Sequence, residues 1–231
     1  MIVMHMSGAY EPQNFYDEND ILVDCRDISG TNCYCDDIAK HQLRERVANL
    51  SYHDIHFLDS GNYHYLSLLW LEKIKEPFSL VLFDHHPDMQ PPSFGDITSC
   101  GGWVKEALEQ IPNLQNVYLV GVEEGLLANV EMNARVHIGI GDLEQEAYPL
   151  YISFDKDVLG TEDARCDWDQ GDMTLDQAMQ MLCHIWERWD ILGMDVCGED
   201  SGWDQNPEAA GNNHINETTN ARLVDFWQNK K

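Results

Sequence analysis

Between Pro77 and Gln90, in PFSLVLFDHHPDMQ, an apolar run gives way without a spacer to Asp84, His85, His86, Pro87 and Asp88. Ser79 to Phe83 shows no alternation of polarity, the pattern of a strand buried on both faces of a parallel sheet. The acids and imidazoles that follow are therefore expected at the strand's carboxyl end, where open α/β sheets place their ligands. Pro87 has no amide hydrogen and a fixed φ, which stops the strand. In an extended chain alternate residues share a face, so Asp84, His86 and Asp88 point one way and His85 the other. Carboxylate, imidazole and carboxylate form a ligand set suited to manganese, iron or zinc. His85, facing away, is expected to bond to a neighbouring carboxylate.

Two other strand ends carry the same chemistry. Ile55 to Leu58 reads as a buried strand broken by Asp59-Ser60-Gly61-Asn62, and His64 lies just past it. Leu150 to Phe154 is another unbroken apolar run, ending in Asp155-Lys156-Asp157. The elements that must hold these residues follow in order. Ile2 to Met6 and Ile21 to Cys25 read as strands, and residues 31–50 as a helix with acids early and bases late. A helix is expected from about Tyr63 to Ile74, another from Gly102 to Gln110, and a strand from Asn116 to Val120. Val122 to Val136 reads as a helix followed by a short strand. Thr174 to Gln177 is a capping box that opens a helix to about Arg188. Ile191 to Val196 is the last strand, and a helix from Asn216 is closed by Lys230 and Lys231. Strands alternate with helices throughout, which predicts a three-layer α/β/α sandwich around a mostly parallel, doubly wound sheet. The whole of 1–231 reads as a single domain.

S-F-D-K-D at 153 to 157 and D-H-H-P-D at 84 to 88 resemble the S-x-D-x-D and D-x-H-x-D motifs of the arginase (ureohydrolase) family. G-N-Y-H-Y at 61 to 65 is similar to that family's G-G-D-H segment, with His64 in the histidine place. The resemblance implies an arginase-like fold and a dinuclear site, most often of manganese, with zinc or iron as alternatives. His64, Asp84, Asp88 and Asp155 would bind one metal, and Asp84, His86, Asp155 and Asp157 the other. It also implies hydrolysis of a linear non-peptide C–N bond, as in guanidino or amidino compounds, by a hydroxide shared between the ions. Two dications roughly 3.5–4 Å apart need shared anionic ligands and lower the pKa of a bridging water. Asp88 would accept the hydroxide proton. The related deacetylases share this fold with a single zinc, so amide deacetylation stays open, as does a non-catalytic metal-binding homologue.

The sequence departs from the family in two places. Cys100, in Ser99-Cys100-Gly101, stands where the family has a proton-moving histidine; it could be a thiol acid, a substrate contact or packing. Family members acting on guanidines have a glutamate in a D-x-x-E segment, whereas Asp195-Val196-Cys197-Gly198-Glu199 has Gly198 at that place. A guanidinium needs a fixed carboxylate for a bidentate pair, so either Glu199 has shifted in or the substrate is not a guanidine. Asn62 and Gln90 could orient substrate, and Asp169 could meet a cationic one.

Of 231 residues, 14 are Lys or Arg and 41 are Asp or Glu, a formal net charge of -27. Such a surface repels a phosphate backbone, so nucleic acid is not an expected partner, and its long-range field favours cationic or amine-bearing small molecules. No run is long enough to span a bilayer, and the first residues lack a signal-peptide pattern; a cytoplasmic protein is expected, with a homo-oligomer open. The seven scattered cysteines are expected to be free thiols.

Overall fold

A computed structural model describes residues 1–91, 94–95, 97–128, 130–131, 133–202 and 209–230. Ten strands are defined: β1 (Ile2–His5), β2 (Ile21–Asp24), β3 (Tyr34–Cys35), β4 (Ile55–Phe57), β5 (Phe78–Phe83), β6 (Thr98–Ser99), β7 (Leu114–Val120), β8 (Val136–Ile138), β9 (Leu150–Asp155) and β10 (Ile191–Cys197). Eight of them form one sheet in the order β2-β1-β4-β10-β9-β5-β7-β8, and every pair in it is parallel. The α-helices are α1 (Asp37–Val47), α2 (Ser67–Leu71), α3 (Trp103–Gln110), α4 (Glu124–Leu127), α5 (Leu175–Trp186) and α6 (Ala209–Lys230).

The unbroken apolar strands are buried on both faces. In β5, Leu80 and Leu82 pack on one side with Leu43 of α1, Trp70 of α2 and Trp103 of α3. Val81 and Phe83 pack on the other side with Leu182 of α5 and Leu223 of α6. Period-two alternation thus serves two apolar layers, which is the three-layer α/β/α arrangement expected. The strands that carry the chemistry, β4, β10, β9 and β5, are consecutive in the sheet. Their carboxyl ends consequently meet.

Three elements differ from expectation. The first helix begins at Asp37, not near Thr31, because the Asp36 side chain accepts from Ala39 N and caps it. The residues before it turn through Cys33, at φ 59°, into β3, which pairs antiparallel with β6. In place of the helix expected from about Tyr63 to Ile74, a 3-10 turn, Gly61–Leu66, runs into the short α2. The last helix starts at Ala209, ahead of Asn216; Lys231, expected at its end, lies outside the described residues. The Thr174–Gln177 capping box forms as read. All seven cysteines are free. Among the described residues no helix is long and apolar enough to cross a membrane.

Candidate metal centre

Asp84 follows the last residue of β5 and is 1% exposed. Its Oδ1 accepts from His86 N at 2.5 Å, which tightens the turn, and Asp88 closes the loop at a positive φ of 47°. From the neighbouring strand, Asp155 ends β9 and its Oδ1 accepts from Asp157 N at 2.9 Å. Asp157 Oδ1 in turn accepts from His85 N at 2.9 Å, joining the two strand ends. His85 itself points away, with Nε2 3.7 Å from Glu123 Oε2.

His64, on the 3-10 turn after β4, is 1% exposed, and its Nδ1 faces three carboxylates. Asp88 Oδ2 lies at 3.0 Å, and Asp84 Oδ2 and Asp155 Oδ2 each at 3.3 Å. Ser153 donates to Asp195 Oδ1 at 2.6 Å, so its oxygen accepts from His64 Nε2 at 2.9 Å. That relay keeps a proton on Nε2 and turns Nδ1 toward the acids. On the other side of Asp84, His86 Nδ1 is 2.9 Å from Asp157 Oδ2 and 3.5 Å from Asp84 Oδ1. Asp84 therefore stands between two imidazoles, one oxygen toward each.

His64 Nδ1 and Asp84 Oδ2 are buried and make no hydrogen bond. Orphaned buried polar atoms are rare in native proteins and call for an account. His64, Asp84 and Asp88 form one set with ligand atoms in mutual reach, and Asp84, His86 and Asp157 a second. Four carboxylates and two imidazoles around a shared aspartate fit two divalent cations: the donors are hard to borderline, and the formal charges balance. In the metal-free chain protons take that place. Burial opposes charge on His86, but its contacts with Asp157 and Asp84 prevail and raise its pKa to about 11. Burial and then the Asp84 charge push Asp88 up to about 6. Burial also works against an ionised Asp84, yet His64 and His86 hold it down at about 2.

Comparison with known proteins bears on the fold that carries this cluster. No protein-family model matches the chain. The chain is 30% identical over 207 residues to an uncharacterized protein of Thermotoga maritima, across 85% of this chain and 78% of that protein. The two belong to one family. Among solved structures, formimidoylglutamase of Bacillus subtilis superposes with a TM-score of 0.67 at 15% identity, over 95% of this chain and 84% of that one. Arginase of Bacillus caldovelox does so at 0.66 and 14%, over 98% and 96%, and proclavaminate amidino hydrolase of Streptomyces clavuligerus at 0.64 and 16%, over 92% and 76%. The chain is an arginase (ureohydrolase)-fold protein.

In this arginase-fold chain a cavity of about 220 Å³ opens over Asp84, His86, Asp88, Asp155 and Asp157. Cys100 and Gln90 line it; burial pushes the Cys100 thiol far up, and Asp88 and Cys33 add to the shift. Asn62 stands at the edge, its Oδ1 accepting from Trp168 Nε1 at 2.9 Å and from Cys33 Sγ at 3.2 Å. Two expected site residues lie elsewhere. Glu199 is fully buried, paired with Lys156 and accepting from Asn220, Gln13 and Asn216 at 2.7, 2.8 and 3.0 Å. All its acceptor directions are spent, so it does not reach the cavity. Asp169 is exposed on its loop and does not line the cavity either. Cys33, Tyr34 and Trp168, which do line it, went unassigned: Tyr34 lies on β3 and the other two on loops, and only the folded chain brings them together. Ser153 carried a usable signal as the serine of S-F-D-K-D. Trp103, whose Nε1 donates to Asp88 Oδ2 at 2.7 Å, carried none.

Proposed function

We propose that the chain is a metal-dependent hydrolase of a linear, non-peptide C–N bond, acting on a small guanidino or amidino compound with two divalent ions, manganese foremost, on a single domain spanning 1–231. The observation that carries this reading is Asp84, with one oxygen facing His64 Nδ1 and the other facing His86 Nδ1 at 3.3 and 3.5 Å. His64, Asp84, Asp88 and Asp155 would hold one ion, and Asp84, His86, Asp155 and Asp157 the other. When bound, such a pair lowers the pKa of a water it shares until hydroxide is available near neutral pH.

The chain's own residues supply positioning and proton handling. The Asp195–Ser153–His64 relay fixes the imidazole, a supporting contact of the kind that orients metal ligands. The Trp103 indole donates to Asp88 Oδ2 and holds that carboxylate at the cavity wall, where it would take a proton as water is activated. Gln90 and Cys100 form the side wall and Trp168 part of the rim; they would orient the substrate and restrict water around the reacting carbon. Free thiols throughout accord with a reducing cytoplasm.

A second reading is favoured by Glu199. With that carboxylate paired to Lys156, every acidic residue among the described residues that lines the cavity is one of the proposed metal ligands, and none of these is left for a bidentate guanidinium pair. Hydrolysis of a neutral acylated amine, as in the deacetylases of this superfold, meets no such need. Both readings are tested by assaying metal-loaded protein against matched guanidino, amidino and acyl-amine series. Turnover of a guanidine or amidine supports the first, release of a carboxylic acid supports the second, and absence of turnover across all three refutes hydrolysis.

A further inference from the structure

We propose that Cys197 is a thiolate ligand at the His64 metal position, and that it biases this position toward zinc or another thiophilic divalent ion over manganese. The inference rests on the two-metal reading above and assigns it one further ligand.

Cys197 is the last residue of β10 and is fully buried. β10 lies between β4, which leads to His64, and β9, which ends in Asp155. Side chains two apart on a strand share a face. Asp195 holds Ser153 beneath His64, so Cys197 emerges one step further along that face, level with Asp155 in the β9–β10 register. Its Sγ donates to Asp155 Oδ2 at 3.0 Å, the same oxygen that stands 3.3 Å from His64 Nδ1. His64, Asp155 and Cys197 each present a ligand atom within 4.8 Å of the others, and all three are buried.

Ligand atoms around one tetrahedral zinc, at Zn–N and Zn–S lengths of about 2.0 and 2.3 Å, are separated by roughly 3.3–3.7 Å. Asp155 Oδ2 stands 3.0 Å from Sγ and 3.3 Å from His64 Nδ1, and all three ligand atoms lie within 4.8 Å of one another, so small shifts bring them to coordination spacing. His64 Nδ1 supplies an independent pointer, because it is buried, aimed at this cluster and without a hydrogen-bond partner. Ion binding would replace the proton that Sγ now shares with Asp155, and that proton would leave to solvent. Thiolate is a soft ligand that selects zinc, and carboxylate suits manganese. The two positions would then differ: the His64 side has a sulfur donor, and the His86 side has only imidazole and carboxylate.

The test is anaerobic loading of the full chain with cobalt(II), with cobalt per chain counted by elemental analysis. A thiolate-to-cobalt charge-transfer band in the near ultraviolet is expected in the wild type, in C33S/C100S and in C166S, and is expected to vanish in C197S. In competition, wild-type protein should keep one zinc per chain against excess manganese, and C197S should bind that zinc at least about tenfold more weakly. Two cobalt ions per chain without the band, or a band that survives in C197S, overturns the assignment and leaves the two-metal site standing. Failure to bind cobalt at all overturns both. If C197S does not fold, zinc-edge absorption of C33S/C100S decides: a sulfur shell near 2.3 Å supports Cys197, and a shell of nitrogen and oxygen alone refutes it.

Discussion

Two clusters of buried charge interleave at the end of β9. Asp155 and Asp157 belong to one and Lys156, between them, to the other, because successive residues there face opposite ways. Lys156 and Glu199 form a closed knot: each is fully buried, they pair with each other, and Gln13, Asn216 and Asn220 occupy the remaining positions. Across the backbone, four carboxylates crowd two imidazoles, and two buried atoms, His64 Nδ1 and Asp84 Oδ2, make no hydrogen bond. One fold thus neutralises one buried cluster completely and leaves its neighbour dependent on protons. The contrast argues that the second cluster is built for cations from outside the chain.

The sharpest way to break this contrast is Asp84→Asn, which removes the group shared by both proposed ions. Hydrolysis should fall by at least about a thousandfold, the scale of several kcal/mol of metal assistance. Thermal stability of the metal-free chain should hold or rise, since a crowded charge is lost. On the other side of β9, Lys156→Met leaves Glu199 charged and unpaired in the core. Unfolding free energy should drop by about 3–5 kcal/mol, read by chemical denaturation, with most of it restored in Lys156→Met/Glu199→Leu. If Lys156→Met is neutral, the knot is not the closed unit described.

Smaller effects sharpen the comparison. Ser153→Ala removes the acceptor for His64 Nε2–H and should weaken metal binding by about 10–100-fold in equilibrium dialysis, with the far-ultraviolet spectrum unchanged. The pH dependence follows from the protons the metal-free cluster holds. His86, raised to about 11, carries one at neutral pH, and a metal must displace it, so affinity should rise with pH by about tenfold per unit for that proton. As pH falls through about 6, Asp88 takes up another and the slope should steepen. Buffer-dependent titration calorimetry reads the released protons directly; a pH-independent affinity between 5 and 8 would contradict the assignment.

What the chain reveals before folding depends on how local the cause is. The runs Ser79 to Phe83, Leu150 to Phe154 and Ile191 to Val196 match β5, β9 and β10 to within a residue or so; for the first two, double burial leaves little other use for so apolar a segment. Ligand-type side chains directly after such runs must stand at strand ends, which is why the six proposed ligands were legible. The start of α1 was not, because β3 depends on Thr98–Ser99, far away in sequence, and Asp36 is the cap only once that pairing is made. Glu199 was misplaced for the same reason: its spacing from Asp195 is visible in the chain, but its capture by Lys156, 43 residues earlier, is a property of the sheet. Cys33 and Trp168 reach the cavity on loops whose course no local pattern dictates.

The cluster around Asp84 is proposed to hold two metal ions. The most direct test is elemental analysis of untagged protein, stripped by chelation, reloaded with manganese or zinc and freed of excess metal. Two ions per chain are predicted in the wild type, with both lost in Asp84→Asn and both kept in Asp169→Asn. A wild-type chain that takes up no metal would contradict the account.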